Sequence, residues 1–92
     1  FRLEARAHAV DGDLEAALDA LAAAAAVAEL LDDPAELGQT LNNMASVRLQ
    51  RGELDAAEAI YAEATGYAER SGDRRLGVQL AMNRGIIANI QG

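Results

Sequence analysis

His8 is the single histidine of the chain, and there is no cysteine. It has no acidic or thiol partner at metal spacing, and it falls at a packing position, so a metal site is not expected. Asp32-Asp33 could in principle act as an acid pair, but they stand directly before Pro34-Ala35-Glu36 and read as a helix cap. Arg74-Arg75 reads as the solvated first turn of a helix, although its charge opposes the dipole there. Tyr61 reads as core, and Tyr67 as core or convex surface. The glycines are spaced as helix stops and packing points, not as a phosphate-cradling loop. No nucleophile stands beside a base. Catalysis, a metal and a cofactor are therefore not expected. Amides and guanidiniums remain. Asparagine and glutamine carry donor and acceptor on one group and can pair with the backbone of an extended peptide whatever its sequence. Arginine can select an acidic ligand through charge-assisted hydrogen bonds.

Composition narrows the classes further. The chain has 92 residues, 51% of them hydrophobic but only 3% aromatic. That is one small domain whose alanine-rich core is thin, so its helices must approach closely. A domain of this size hides roughly 60–65% of its unfolded surface, and help from a neighbour is expected. The net charge of −7 argues against nucleic acid and anionic membranes as partners. The charge is lopsided: residues 1–46 carry two Arg against nine acids, and residues 47–92 carry six of each. The longest apolar run, Leu21 to Ala28, is mostly alanine and too short for a membrane span. A cytoplasmic location is the expectation. The chain begins at Phe1, and a piece of a longer protein is expected.

The elements that must position these groups follow a repeat. Gly12-Asp13-Leu14-Glu15-Ala16-Ala17 returns forty residues later as Gly52-Glu53-Leu54-Asp55-Ala56-Ala57, and Gly92 stands one further period on. Gly12, Gly52 and Gly72 fall where helices should end in the left-handed conformation that glycine tolerates. Asp13 and Asp73 read as N-caps, with Glu53 in the weaker equivalent place. Asp33-Pro34-Ala35-Glu36 carries a capping box with proline in the first turn. Helices are expected at 2–11, 13–31, 34–51, 53–71 and 73–91, with links so short that neighbours run antiparallel. The apolar stripes agree with a helical period: Leu14, Ala17, Leu18, Leu21, Ala24, Ala25, Ala28 and Leu31 in the second helix, Leu37, Leu41, Met44 and Ala45 in the third, and Leu54, Ala57, Ile60, Tyr61, Ala64 and Ala68 in the fourth. Gly85 aligns with Ala5 and Ala45, which suggests close helix contact at that position.

These residues resemble the tetratricopeptide repeat (TPR) family, whose pattern sets a small residue in a first helix, a turn glycine, and Ala-x3-aromatic in a second. Ala57-x3-Tyr61 fits, Ala17-x3-Leu21 fits with leucine for the aromatic, and Leu41-x2-Met44-Ala45 fits the first-helix signature. The resemblance covers essentially the whole chain. Glu4 and Arg84 depart from it where the family has an apolar residue, and Arg48 and Ala88 replace its usual tyrosine. The family's helix-ending proline is absent, with Glu29 and Glu69 in its place, which lengthens the second helix and the period. The chain thus resembles the long-repeat branch that includes kinesin light chains, spindle-orientation adaptors and bacterial peptide-sensing regulators.

The resemblance implies an all-α fold, a right-handed superhelical stack of antiparallel helix pairs with five helices in about two and a half repeats: 1–33, 34–72 and the half repeat 73–92. It implies a protein–protein interaction module inside a larger signalling or regulatory protein, with no cofactor. First helices would line a concave groove that receives Arg2 and Arg6, then Gln39, Asn42, Asn43, Ser46 and Gln50, then Gln79, Asn83, Arg84 and Asn89. The partner would be a protein or peptide held by these side chains. The lysine-dependent carboxylate clamp of one TPR subclass is excluded, since the chain has no lysine. The last helix carries Ile86, Ile87 and Ile90, which are expected to form a bare apolar edge open to self-association. The alternative reading is a structural spacer or dimerisation element of a larger enzyme or transcription regulator.

Overall fold

In the computed structural model the backbone is described for residues 2–91 and the side chains for residues 13–89. Four helices follow one another: α1 Arg2–Leu30, α2 Pro34–Gln50, α3 Leu54–Ser71 and α4 Arg74–Gln91. No strand occurs among the described residues, so the fold is all-α. No described helix is long and apolar enough to cross a membrane.

Three chain reversals join the helices, and all are built alike. Asp32, Gly52 and Gly72 have φ of 53°, 80° and 71°. After each, the next N–H reaches back to a carbonyl five residues earlier: Asp33 to Ala28 at 3.0 Å, Glu53 to Arg48 at 3.0 Å, and Asp73 to Ala68 at 3.2 Å. The left-handed residue itself bonds three residues back, to Glu29, Leu49 and Glu69. This paired pattern satisfies the carbonyls that a helix end otherwise leaves open. Gly52 and Gly72 act as the spacing predicts. Asp32 does the same work without being glycine, which aspartate tolerates better than most residues.

The helix starts are capped unequally. The Glu36 N–H donates to Asp33 Oδ1 at 3.2 Å, and the Leu76 N–H to Asp73 Oδ1 at 3.0 Å. The expected capping box is half formed, because the Asp33 N–H is already spent on Ala28. Glu53 makes no side-chain cap. Its carboxylate instead takes Arg48 Nη1 at 2.9 Å and faces Arg51 Nη2 at 3.7 Å. The Arg48 hydrogen bond foremost, with the charges of both arginines, holds this carboxyl below the ordinary glutamate range. Its stabilising share is full above the ordinary glutamate pKa and is lost as pH falls through the lowered one. The group is solvent-screened, so that share is small.

The expected break at Gly12 does not occur: α1 runs unbroken through Asp11-Gly12-Asp13, so the described residues form four helices and not five. At about 1.5 Å per residue its 29 residues span about 43 Å, close to the 47 Å longest dimension. The physical reason is a balance. A glycine inside a helix costs only about 1 kcal/mol, whereas a reversal there would surrender helical hydrogen bonds for an alanine-rich contact. One consequence is visible on the neighbouring surface. Ala24 is exposed and Ala17 and Leu21 are half-buried, whereas Ala57, Tyr61 and Ala64, their repeat equivalents on α3, are buried.

The core is one cluster: Ala28 of α1, Leu37, Leu41 and Ala45 of α2, Ala57, Tyr61, Ala64 and Ala68 of α3, and Leu76, Leu80 and Ile87 of α4. Small side chains let the helices come close. At Gly38 a Cβ would stand 2.9 Å from Leu76 Cδ2 and 3.3 Å from Tyr67 Cβ, so α2 needs glycine where α3 and α4 meet it. Gly85 is not such a point, contrary to expectation: a Cβ there would meet nothing within 4 Å. It faces open space although its repeat equivalent Ala45 is fully buried.

Because Asp32 carries a Cβ in the left-handed region, Asp32→Gly should stabilise the fold by about 0.5–1 kcal/mol. Thermal unfolding followed by circular dichroism should show the midpoint rising by about 2–8 °C, and Gly72→Ala should lower it. A fall with Asp32→Gly would show that the side chain, not the backbone, holds this turn.

Candidate functional site

Gln39, Asn43, Ser46 and Gln50 recur on α2 at intervals of four, three and four, which places them in one stripe along the helix. Gln79, Asn83 and Ile86 make the corresponding stripe on α4, forty residues later. Among the described residues one side-chain hydrogen bond ties the two helices here: Asn83 Nδ2–H donates to Asn42 Oδ1 at 3.0 Å. Asn42 is 2% exposed, so it serves as a strut beneath the surface and not as a lip of a groove.

A second polar chain lies next to it. Ser46 Oγ–H donates to the Asn42 carbonyl at 3.1 Å, and Ser46 Oγ lies 2.9 Å from the Tyr61 hydroxyl. If serine donates to the carbonyl, Tyr61 must donate to serine, and the only polar atom of a 1% exposed ring is satisfied. Ser46 is thus occupied inside the molecule. Gln39 and Asn43 are not. Gln39 Nε2–H donates to Asn43 Oδ1 at 3.3 Å across one turn. The Asn43 NH₂ and the Gln39 carbonyl have no further partner among the described residues. Gln50 and Gln79 are exposed, and Asn83 is half-buried.

The remaining expected residues are scattered. Arg84 is exposed, but it follows Asn83 by one residue and points about 100° away from the stripe. Asn89 is exposed on the far flank of α4. The side chains of Arg2, Arg6 and Ile90 lie outside the described residues. Of the expected apolar edge, Ile86 is exposed, but Ile87 is 1% exposed and belongs to the core. Ile87 stands seven and eleven residues after Leu80 and Leu76, so the helical period turns it inward with them. The bare apolar strip of α4 is Val78, Met82 and Ile86, four residues apart. The phase set by Leu76 and Leu80 carried that signal, and the clustering of isoleucines obscured it.

Two concave surfaces lie away from the stripes, at the helix ends. One, of about 310 Å³, is lined by Thr65, Ala68, Glu69, Gly72, Asp73, Arg74 and Gly77. The other, of about 80 Å³, is lined by Ala28, Glu29, Asp32, Asp33, Pro34, Leu37, Tyr67 and Arg70. No group of three His, Cys, Asp or Glu among the described residues could hold a metal ion.

Asn43 is exposed and bonds only its neighbour Gln39, whereas the Asn42–Asn83 bond joins two helices. Asn83→Ala should therefore cost about 1 kcal/mol by leaving the buried Asn42 oxygen without its donor. Asn43→Ala should change stability by less than about 0.5 kcal/mol. Urea unfolding of both variants checks this, and equal effects would contradict the division of roles.

Comparison with protein-family models, with curated proteins and with solved structures gives no match for this chain.

Proposed function

We propose that this chain is a TPR-like protein-interaction module, its helix pairs stacked as a right-handed solenoid within a larger signalling or regulatory protein. In this reading the amide stripe of α2, with Gln79 beside it on α4, takes hold of an extended peptide or partner helix. The observation that carries it is the Gln39–Asn43 pair, in which Asn43 is exposed, Gln39 is half-buried, and one amide donor and one amide acceptor are left without a partner among the described residues. Such a couple matches the alternating N–H and C=O groups of a peptide backbone. Arg84 stands off the stripe, so the ligand is recognised by its backbone more than by acidic side chains. No chemistry is performed on it.

A second reading is favoured by a different observation. Among the described residues the exposed large hydrophobics are Val27, Leu30 and Leu31 at the end of α1, and Val78, Met82 and Ile86 on α4. They gather on the two outer helices, which supports a structural role in which this unit stacks on another.

An array of synthetic extended peptides of neutral and acidic composition tests the first reading. Peptides that bind the wild-type chain should bind the Gln39→Ala/Asn43→Ala variant about tenfold more weakly, the loss of about two net hydrogen bonds. Undiminished binding by that variant, or no binding by the wild type, would remove the amide stripe as the site.

A further inference from the structure

The two concave surfaces at the helix ends are the same site seen twice. Ala68, Glu69, Gly72, Asp73, Arg74 and Gly77 of the larger one stand forty residues after Ala28, Glu29, Asp32, Asp33, Pro34 and Leu37 of the smaller. The difference is what enters. In the smaller, Tyr67 and Arg70 of the following helix α3 form one wall, and about 80 Å³ remains. In the larger no described residue takes that place, and about 310 Å³ stays open. The repeat equivalents of Tyr67 and Arg70 within this chain are Val27 and Leu30 of α1. Both are apolar and exposed, Leu30 to 87%.

The same correspondence holds along the helices. The strip Val78, Met82 and Ile86 of α4 repeats Gly38, Asn42 and Ser46 of α2, and Gly85 repeats the fully buried Ala45. On α2 those positions receive α3 and α4. On α4 they are bare, with Met82 67% exposed. The face of α1 that repeats the buried face of α3, around Ala17, Leu21 and Ala24, is bare or half-bare as well.

From these two unfilled halves of one contact, we infer that α1 of a second copy of this chain docks on α4 of the first, in the register in which α3 docks on α2. The inference rests on the stacking reading and gives it an occupant and a register. Paired size changes at the contact fit it. Where Gly38 meets Tyr67 within the chain, Val78 would meet Val27: larger on one side, smaller on the other. Where Ser46 bonds Tyr61, Ile86 would meet Leu21, an apolar pair in place of a polar one. The close Cβ approach at Gly38 means the helices stand a few tenths of an ångström further apart there. Charge agrees too. Residues 74–91 hold Arg74, Arg75 and Arg84 and no acid, while residues 13–30 hold Asp13, Glu15, Asp19 and Glu29 and no base. Opposite net charge on the two helices favours this pairing over α4 on α4 or α1 on α1. The contact is heterologous, so each copy keeps one free half and association continues head to tail without closing.

Two single substitutions test this without touching the fold. Ala24 is exposed, and Gly85 has open space where a side chain would go. Ala24→Arg blocks the α1 half, and Gly85→Arg blocks the α4 half. Circular dichroism should show both variants as helical as the wild type. Sedimentation equilibrium of the 92-residue chain from about 10 µM to about 1 mM, a range suited to a small interface, should give a mass that keeps rising beyond two chains. Raising the salt should reduce that growth. Each variant alone should stay a monomer, and an equimolar mixture of the two should reach a mass of two chains and stop. Association of Gly85→Arg as strong as that of the wild type would overturn the register. So would a mixture that stays monomeric while the wild type associates, or a dimer formed by Ala24→Arg alone; in these cases stacking would survive through another surface. A wild type that stays monomeric up to about 1 mM would overturn both the register and stacking between copies.

Discussion

The chain reversal at residues 32, 52 and 72 is the constraint on which the rest of this structure depends. Each reversal places one residue in the left-handed region and returns two N–H groups to the helix just ended. The interval of twenty residues between reversals fixes the helix lengths, and with them which side chains meet. Because the turn is the same each time, the surroundings recur each time, down to a hollow at the end of α1 that reappears at the end of α3. Without the left-handed residue the helix would run on, as it does through Gly12.

Within that frame α2 is the central element. It is buried against α1 on one side and α3 on the other, and it touches α4 through Asn42 and Gly38. The apolar core around it is built of alanine and leucine and is thin, so polar bonds share the work of fixing the register. The Tyr61–Ser46–Asn42 chain and the Asn42–Asn83 bond lock α3 and α4 to α2 at defined heights. Buried amides and hydroxyls that are hydrogen-bonded to one another specify one arrangement more sharply than interchangeable methyl groups can. The same commitment divides the polar residues by role. Asn42, Ser46, Tyr61 and Asn83 brace the fold, whereas Asn43 is exposed and its NH₂ has no partner among the described residues.

Much of this was legible in the residues, and the failures have physical causes. Helix class, the turns at Gly52 and Gly72, the Asp33 and Asp73 caps and the core of α3 follow from capping chemistry and a period of 3.6. Gly12 misled because a glycine stop is only an option: whether a helix takes it depends on what the returning segment would bury. Asp32 was hidden because aspartate in the left-handed region carries no distinctive neighbours, although its twenty-residue interval from Gly52 and Gly12 was there to be counted. The amide stripe on α2 was legible by spacing. The burial of Asn42 was not, since asparagine is usually exposed and only the approach of Asn83 makes its burial affordable. Ile87 was misplaced because hydrophobicity was weighed there without phase.

The central claim is that the outer faces of α1 and α4 are two halves of one repeated contact. A tandem chain tests it most directly, made by joining Gly92 of one copy to Asp13 of a second, the junction that Gly52-Glu53 makes within the chain. If the claim is right, the tandem melts in a single transition at a temperature clearly above that of the 92-residue chain, because a new interface of the α2–α3 kind couples the halves. A tandem that melts at the temperature of the single chain, as two uncoupled units, would contradict it.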